Sequence, residues 1–166
     1  MNPFDVFRKR NLTKVNFDYE DLIGKDFSDS NMCGVNLKNR DIHHANLSCT
    51  NLIGSDLSGT ILFYVKLRGS DLQNANLSQA KLWDTELYGA DLTGVNLSGA
   101  DLFYADLRNS DLSNANLSGA NLRHTNLEGA ILDSVDFAGC NYDVDTLNSV
   151  SKVFQANLKK YGNLWQ

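Results

Sequence analysis

Three histidines, three cysteines and a surplus of carboxylates are the side chains of this 166-residue chain that could carry chemistry. His43 and His44 are adjacent, and His124 stands alone. An imidazole works as a general base or metal ligand only with partner groups within hydrogen-bond reach. Cys33, Cys49 and Cys140 are odd in number and lack the spacing of a zinc site, which points to a reducing, cytoplasmic setting. The chain contains no phosphate loop and no dinucleotide fingerprint. Asp and Asn recur so regularly that paired carboxylates, and the Asn-Leu-Ser triplets at Asn46, Asn76, Asn96 and Asn116, follow from a repeat and mark no site. A net charge of −5 and a pI near 5.0 argue against direct nucleic-acid binding. No apolar stretch approaches the roughly 20 residues of a membrane helix. The opening MNPFDVFRKRNL has no apolar signal core. These residues point away from catalysis, and no cofactor is expected.

Whatever function the chain has must be positioned by a period of five. Counting in fives from Leu12 to Tyr142, all 27 positions are Leu, Phe, Met, Ile or Tyr, and 21 are Leu. Two residues before this centre stands Ala, Ser, Thr, Val or Cys in every repeat from Ala45 to Cys140. One residue before it stands Asp or Asn in 22 of the 27 repeats. All eleven glycines from Gly24 to Gly139 lie two residues after a centre. In a helix, a step of five turns each Leu by about 140°, which makes no apolar face. In a straight strand an odd step puts successive leucines on opposite faces. A single core therefore requires one inward bend per repeat. Glycine suits the positive φ of such a corner, and Asp or Asn can bond the turn backbone. One Leu burial, worth about 1.5–3 kcal/mol, does not offset ordering five backbones at about 1–2 kcal/mol each. Neighbouring coils must stack to supply the rest.

The pattern, clearest from Ala90-Asp91-Leu92-Thr93-Gly94 to Ala120-Asn121-Leu122-Arg123-His124, resembles the pentapeptide-repeat family, with its A(D/N)LXX consensus. The resemblance implies an all-β solenoid, a right-handed quadrilateral β-helix with four repeats and twenty residues per coil. Expected boundaries are an N-terminal cap over 1–11, the β-helix over 12–142, and a C-terminal helical cap and tail over 143–166.

Residues twenty apart then stack on one face. On the face of Leu62, Leu82 and Leu102, the outward positions hold Phe63, Tyr64, Trp83, Phe103 and Tyr104, an expected aromatic interaction surface. The competing expectation is a ladder that only stabilises neighbouring coils. Consensus Asp or Asn is replaced in the same coils by Ile61, Lys66, Lys81 and Glu86. Asp71, Asp91 and Asp111 should form an acidic column. Glu20 should stack on Arg40 and Lys66 on Glu86 as ion pairs. Arg10, Glu20, Lys25 and Arg40 are expected at the inward position. His43 and His124 fall four coils apart, about 19 Å at strand spacing, so they form no catalytic pair or metal site.

Beyond Asp143, Leu147, Val150, Phe154, Leu158 and Tyr161 recur at helical spacing. This predicts one capping helix over 144–161, started by Asp143 or Asp145, with Lys159 and Lys160 in its last turn and Gly162 as its stop. Phe154, Leu158, Tyr161, Leu164 and Trp165 are candidate cap or dimer contacts. Phe4 and Phe7 should plug the opposite end. The expected role is a non-catalytic scaffold for an unidentified protein partner or for a second copy in a homodimer. The alternative implied by the resemblance is a DNA mimic that binds DNA gyrase, as the family's quinolone-resistance members do.

Overall fold

A computed structural model describes residues 7–18 and 20–164 of the chain. All 27 centre residues are buried, none more than 5% exposed. They form one continuous apolar column together with the small inward residues. Every Asp or Asn position from Asp26 to Asn121, including its substitutes, makes a parallel bridge to the residue twenty later. One coil is therefore four pentapeptides.

The repeat beginning at Ala90 shows why these residues fold this way. The N–H of Ala90 donates to Leu87 O at 3.1 Å, closing the turn. That of Asp91 donates back to Ser70 O at 3.0 Å, and that of Leu92 forward to Asp111 O at 2.7 Å. The Thr93 N–H donates to Asp91 Oδ1 at 3.0 Å. The Gly94 N–H donates to Ser113 O at 2.8 Å. Five donors thus have five partners, and the Asp or Asn side chain supplies the one that the backbone does not. From Gly24 to Gly139 every residue two past a centre has φ between 54° and 70°. Glycine is the easy occupant of that corner, and an L side chain there costs about 1–2 kcal/mol.

Hydroxyls at the inward position are held by the core wall. Thr50, Thr60, Thr85 and Thr125 donate to the carbonyls of Phe27, Leu37, Leu62 and Leu102. Ser55, equally buried, has no partner for its hydroxyl.

Charged residues at the first inward positions depart from expectation. Arg10 and Glu20 are exposed, because a charge left in the dry column would be too costly. Arg40 does not pair with the Glu20 carboxylate. Its guanidinium donates to the backbone carbonyls of Asp18 and Glu20, the latter at 2.6 Å.

The C-terminal segment also differs from the single helix predicted. After β1 (Asn141–Tyr142) come α1 (Val144–Ser149), α2 (Lys152–Tyr161) and β2 (Asn163–Leu164). Asp143 caps α1 by accepting from Thr146 N. The break falls in Asn148-Ser149-Val150-Ser151, all poorer helix formers than Ala or Leu. It lets both Val150 and Leu158 reach the core, at 6% and 0% exposure. Lys159 and Lys160 lie in the last turn of α2, and Gly162 ends it. The φ of Gly162 is negative. The position is tight instead, since a Cβ there would lie 2.9 Å from both Cys140 Sγ and Tyr142 Cε1. β2 pairs in parallel with β1, so the tail adds a further rung. Phe7 packs on Phe27 with centroids 4.8 Å apart. Phe4 and Trp165 lie outside the described residues.

Ser55→Ala should leave stability in urea unchanged or raise it by up to about 1 kcal/mol, because it removes a buried hydroxyl without a partner. Thr85→Val should lower stability by about 1 kcal/mol, because it strips a hydrogen bond from Leu62 O. Equal loss in both variants would contradict the account of the inward column.

Candidate functional site

The five aromatic residues lie together on one face. Phe63 meets Trp83 edge-on with centroids 5.9 Å apart, and Trp83 tilts against Phe103 at 6.1 Å. Phe103 lies 4.6 Å from Tyr104. Tyr64, Trp83 and Tyr104 remain 44%, 40% and 51% exposed. The structure extends the group beyond the expected five. His44 stacks on Tyr64 at 5.0 Å and 11°, and His124 on Tyr104 at 4.6 Å and 11°. The Arg123 guanidinium sits over Phe103, 5.3 Å from its centroid. The signal for these additions was present in the sequence, because His44, His124 and Arg123 share the twenty-residue columns of the five.

The substitutions Ile61 and Lys81 remove from this face the side-chain acceptor that normally serves the N–H two residues on, here those of Phe63 and Trp83. Tyr64 and Tyr104 also occupy the positive-φ corner, at 57° and 60°. Tyrosine is a poor occupant of that conformation. The backbone therefore favours neither choice.

Sequence reasoning missed a second cluster, where the last coil meets α1. His124 Nδ1 lies 2.8 Å from Asp145 Oδ2 and 3.2 Å from Asp143 Oδ2. Burial raises the Asp143 pKa, but bonds from the Thr146 N–H and hydroxyl and the His124 N–H, with the His124 imidazole nearby, hold it below the usual carboxylate range. The sequence showed Asp143 only as a helix cap, because its contact with His124 depends on where α1 turns back. At the other end of the aromatic face His43 Nδ1 lies 2.8 Å from Asp41 Oδ1. The two imidazole–carboxylate groups are separated by four coil steps.

The sequence profile of pentapeptide repeats matches residues 11–48, 41–79, 70–109 and 110–141. The chain belongs to the pentapeptide-repeat family. No curated protein sequence matches it. Among solved structures it is similar to Rfr23, a pentapeptide-repeat protein from the cyanobacterium Cyanothece 51142, at 29% identity and a TM-score of 0.62, covering 69% of this chain and 88% of that one. It is also similar to QnrB1, a plasmid-mediated fluoroquinolone resistance protein, at 20% identity and a TM-score of 0.66. That match covers 73% of this chain and 64% of QnrB1. At that identity the likeness shows the fold alone.

In this pentapeptide-repeat chain the acidic column is real as a stack, since Asp71, Asp91 and Asp111 bridge in succession. Its charge is locally dressed, because the Gln73 amide donates to Asp91 Oδ2 at 3.0 Å and to Asp71 Oδ2 at 3.4 Å. Glu86 does not pair with Lys66 but with Arg68, Nε to Oε2 at 2.6 Å. Two residues further along the chain, an arginine reaches the carboxylate with better geometry than the lysine stacked below it. Cys33 and Cys49 are exposed. Burial pushes the Cys140 thiol up to about 12, so it stays protonated. Of the C-terminal candidates, Leu158 is buried and Phe154 is packed partly against the core. Tyr161 and Leu164 are each 50% exposed. Among the described residues, no helix is long and apolar enough to cross a membrane.

Beside the aromatic face, Arg108 donates to both oxygens of Asp106 and lies over the Tyr88 ring. The Arg108 hydrogen bond, against a smaller opposing effect of burial and aided by the charges of Arg108 and Arg68, lowers the Asp106 pKa. A lowered folded pKa stabilises above the unfolded value near 3.9, and that stability is lost as pH falls through the folded value. Melting curves from pH 6 to about 2 should therefore show a smaller acid-induced drop for Asp106→Asn than for the parent chain. Parallel curves would show that the pair contributes nothing.

Proposed function

We propose that this protein is a non-catalytic protein-interaction scaffold that presents the Phe63, Tyr64, Trp83, Phe103 and Tyr104 face to a protein partner or to a second copy of itself. In this reading residues 12–142 are a right-handed quadrilateral β-helix, residues 1–11 cap one end, and residues 143–166 cap the other. Family membership supports the β-helix, and the burial of Val150, between the two helices, and of Leu158, on α2, supports the C-terminal cap. The exposed thiols of Cys33 and Cys49 suit a reducing, cytoplasmic location.

The observation that carries the reading is that Tyr64, Trp83 and Tyr104 stay 44%, 40% and 51% exposed within one contiguous cluster of rings. Tyr64 and Tyr104 also sit at positive-φ corners, a conformation shared by eleven other non-glycine residues between Gly24 and Gly139. Aromatic residues are also the commonest anchors of protein interfaces. Stacking alone returns about 0.5–1.5 kcal/mol per pair, about the size of the corner's conformational cost. Tyr104→Gly should therefore leave urea stability within about 1 kcal/mol of the parent. A loss well beyond that would make the rings a stabilising ladder.

Phe63→Ser, Trp83→Ser and Phe103→Ser combined should retain the β-helix by circular dichroism. The same variant should lose self-association in light scattering or partner capture in a pull-down. Unchanged assembly and capture would sink the proposal.

A second reading, a DNA mimic that binds DNA gyrase, rests on the stacked Asp71, Asp91 and Asp111 and the net charge of −5. Inhibition of gyrase supercoiling by the purified chain, weakened by Asp91→Asn, would favour it over the aromatic-face reading. No effect on supercoiling would remove it.

A further inference from the structure

His124 is fixed from three sides. Its backbone N–H donates to Asp143 Oδ2 at 3.0 Å. Its ring lies flat on Tyr104, and the Phe103 ring closes edge-on at 5.3 Å. These contacts aim Nδ1 between two carboxylates, 2.8 Å from Asp145 Oδ2 and 3.2 Å from Asp143 Oδ2. One ligand atom from each of the three residues lies within 4.8 Å of the other two. Asp143 cannot swing away freely, because its Oδ1 accepts from the Thr146 N–H at 2.9 Å and from the Thr146 hydroxyl at 3.0 Å. Asp145 is different. Its side chain is 71% exposed, on the first turn of α1, and can adjust to an ion entering from solvent.

A single proton on Nδ1 sits between the nitrogen and one acceptor, whereas two carboxylate oxygens converge here. A divalent cation satisfies all three groups at once. With bonds of roughly 2.0–2.2 Å, ligand atoms in a tetrahedral set stand about 3.4 Å apart. The two imidazole–carboxylate separations need open by only about 0.2–0.6 Å to reach that spacing. Mixed nitrogen and oxygen donors select a zinc-type ion over magnesium or calcium, which prefer all-oxygen sets. A cavity of about 390 Å³ lined by His124 and Asp145, and bordered also by Glu128 and Asn148, leaves room for a water as a fourth donor. The geometry points to a binding site for a zinc-class divalent cation formed by His124, Asp143 and Asp145. A bound ion would fasten the last coil to α1, adding a cross-link where the repeat ends.

The test is calorimetric titration of the chelator-treated full chain with ZnCl₂. One equivalent should bind, at least about tenfold more weakly in Asp145→Asn and in His124→Asn. Asparagine tolerates the positive φ at 124, and residue 145 is exposed, so neither variant should compromise folding. His43→Asn, which breaks the other imidazole–carboxylate pair, should bind like the parent. Zinc should also raise the melting temperature of the parent and of His43→Asn, but not of Asp145→Asn. Absence of binding, equal affinity in the parent and both site variants, or loss in His43→Asn would each overturn the assignment. Equal affinity for MgCl₂ would also overturn it, because the imidazole would then play no part.

Discussion

Each consensus pentapeptide, with Asp or Asn before its centre, has five backbone N–H donors, and the coil gives every one a partner. Two are used along the stack toward the next coil, one toward the previous coil, one within the turn, and one by the Asp or Asn side chain. This allotment works only if the residue two past the centre turns into the left-handed region, because that turn aims its own N–H at the next coil. Buried backbone donors must be paired, so the kink, the register of twenty and the Asp/Asn consensus form a single constraint. Little freedom remains. The centre and the small position are committed to the core, and the Asp or Asn is committed to the turn. Only the two residues after the centre can vary widely, so binding specificity must be written mainly there.

That constraint also governs how the aromatic face is understood. Strand stacking sets neighbouring coils about 4.8 Å apart. Rings in one column are thereby placed at stacking range whether or not stacking was selected. The flat pairs His44–Tyr64 and Tyr104–His124, at 5.0 and 4.6 Å, follow the coil spacing closely. Ring contact by itself is thus weak evidence for either role. The exposure of the rings is more informative. Tyr64, Trp83 and Tyr104 each keep at least 40% of their surface exposed, whereas the corner conformation is common to eleven glycines and thirteen other residues between Gly24 and Gly139.

The columns could be read from the sequence because the register never slips. A residue's neighbour is simply the one twenty places away, and this placed Phe63, Trp83 and Phe103 together correctly. Reading failed where side chains are long or the repeat stops. Arg40 was expected on the Glu20 carboxylate and instead reaches backbone carbonyls. Glu86 bonds Arg68, a residue outside its own column. A column fixes where a Cβ lies and says nothing of where four or five rotatable bonds will take a charge. The break between α1 and α2 was hidden for a different reason. The stripe Leu147, Val150, Phe154, Leu158 fits one helix by spacing, yet one straight helix would not set both Val150 and Leu158 into the end of the core.

Within the repeats, a polar residue meets above and below it residues chosen by the same consensus, so Asp lies over Asp or Asn and hydrogen bonds form within a type, as from Asn96 to Asn76 and from Asn121 to Asp101. Unlike groups converge at two places where a column is interrupted. One interruption is the set Ile61, Lys66, Lys81 and Glu86 beside the aromatic face. The other is the end of the coil, where α1 brings Asp143 and Asp145 over His124. Backbone donors at that end require partners that no further repeat provides. Leu127 N finds Ser149 Oγ, and Gly139 N finds Tyr161 O. The segment that meets those needs is free of the five-residue pattern, and so it can carry combinations of side chains that the pattern forbids. In a solenoid this regular, chemistry beyond simple display is therefore to be sought at the breaks in the repeat, where the packing constraint has already been met by other means.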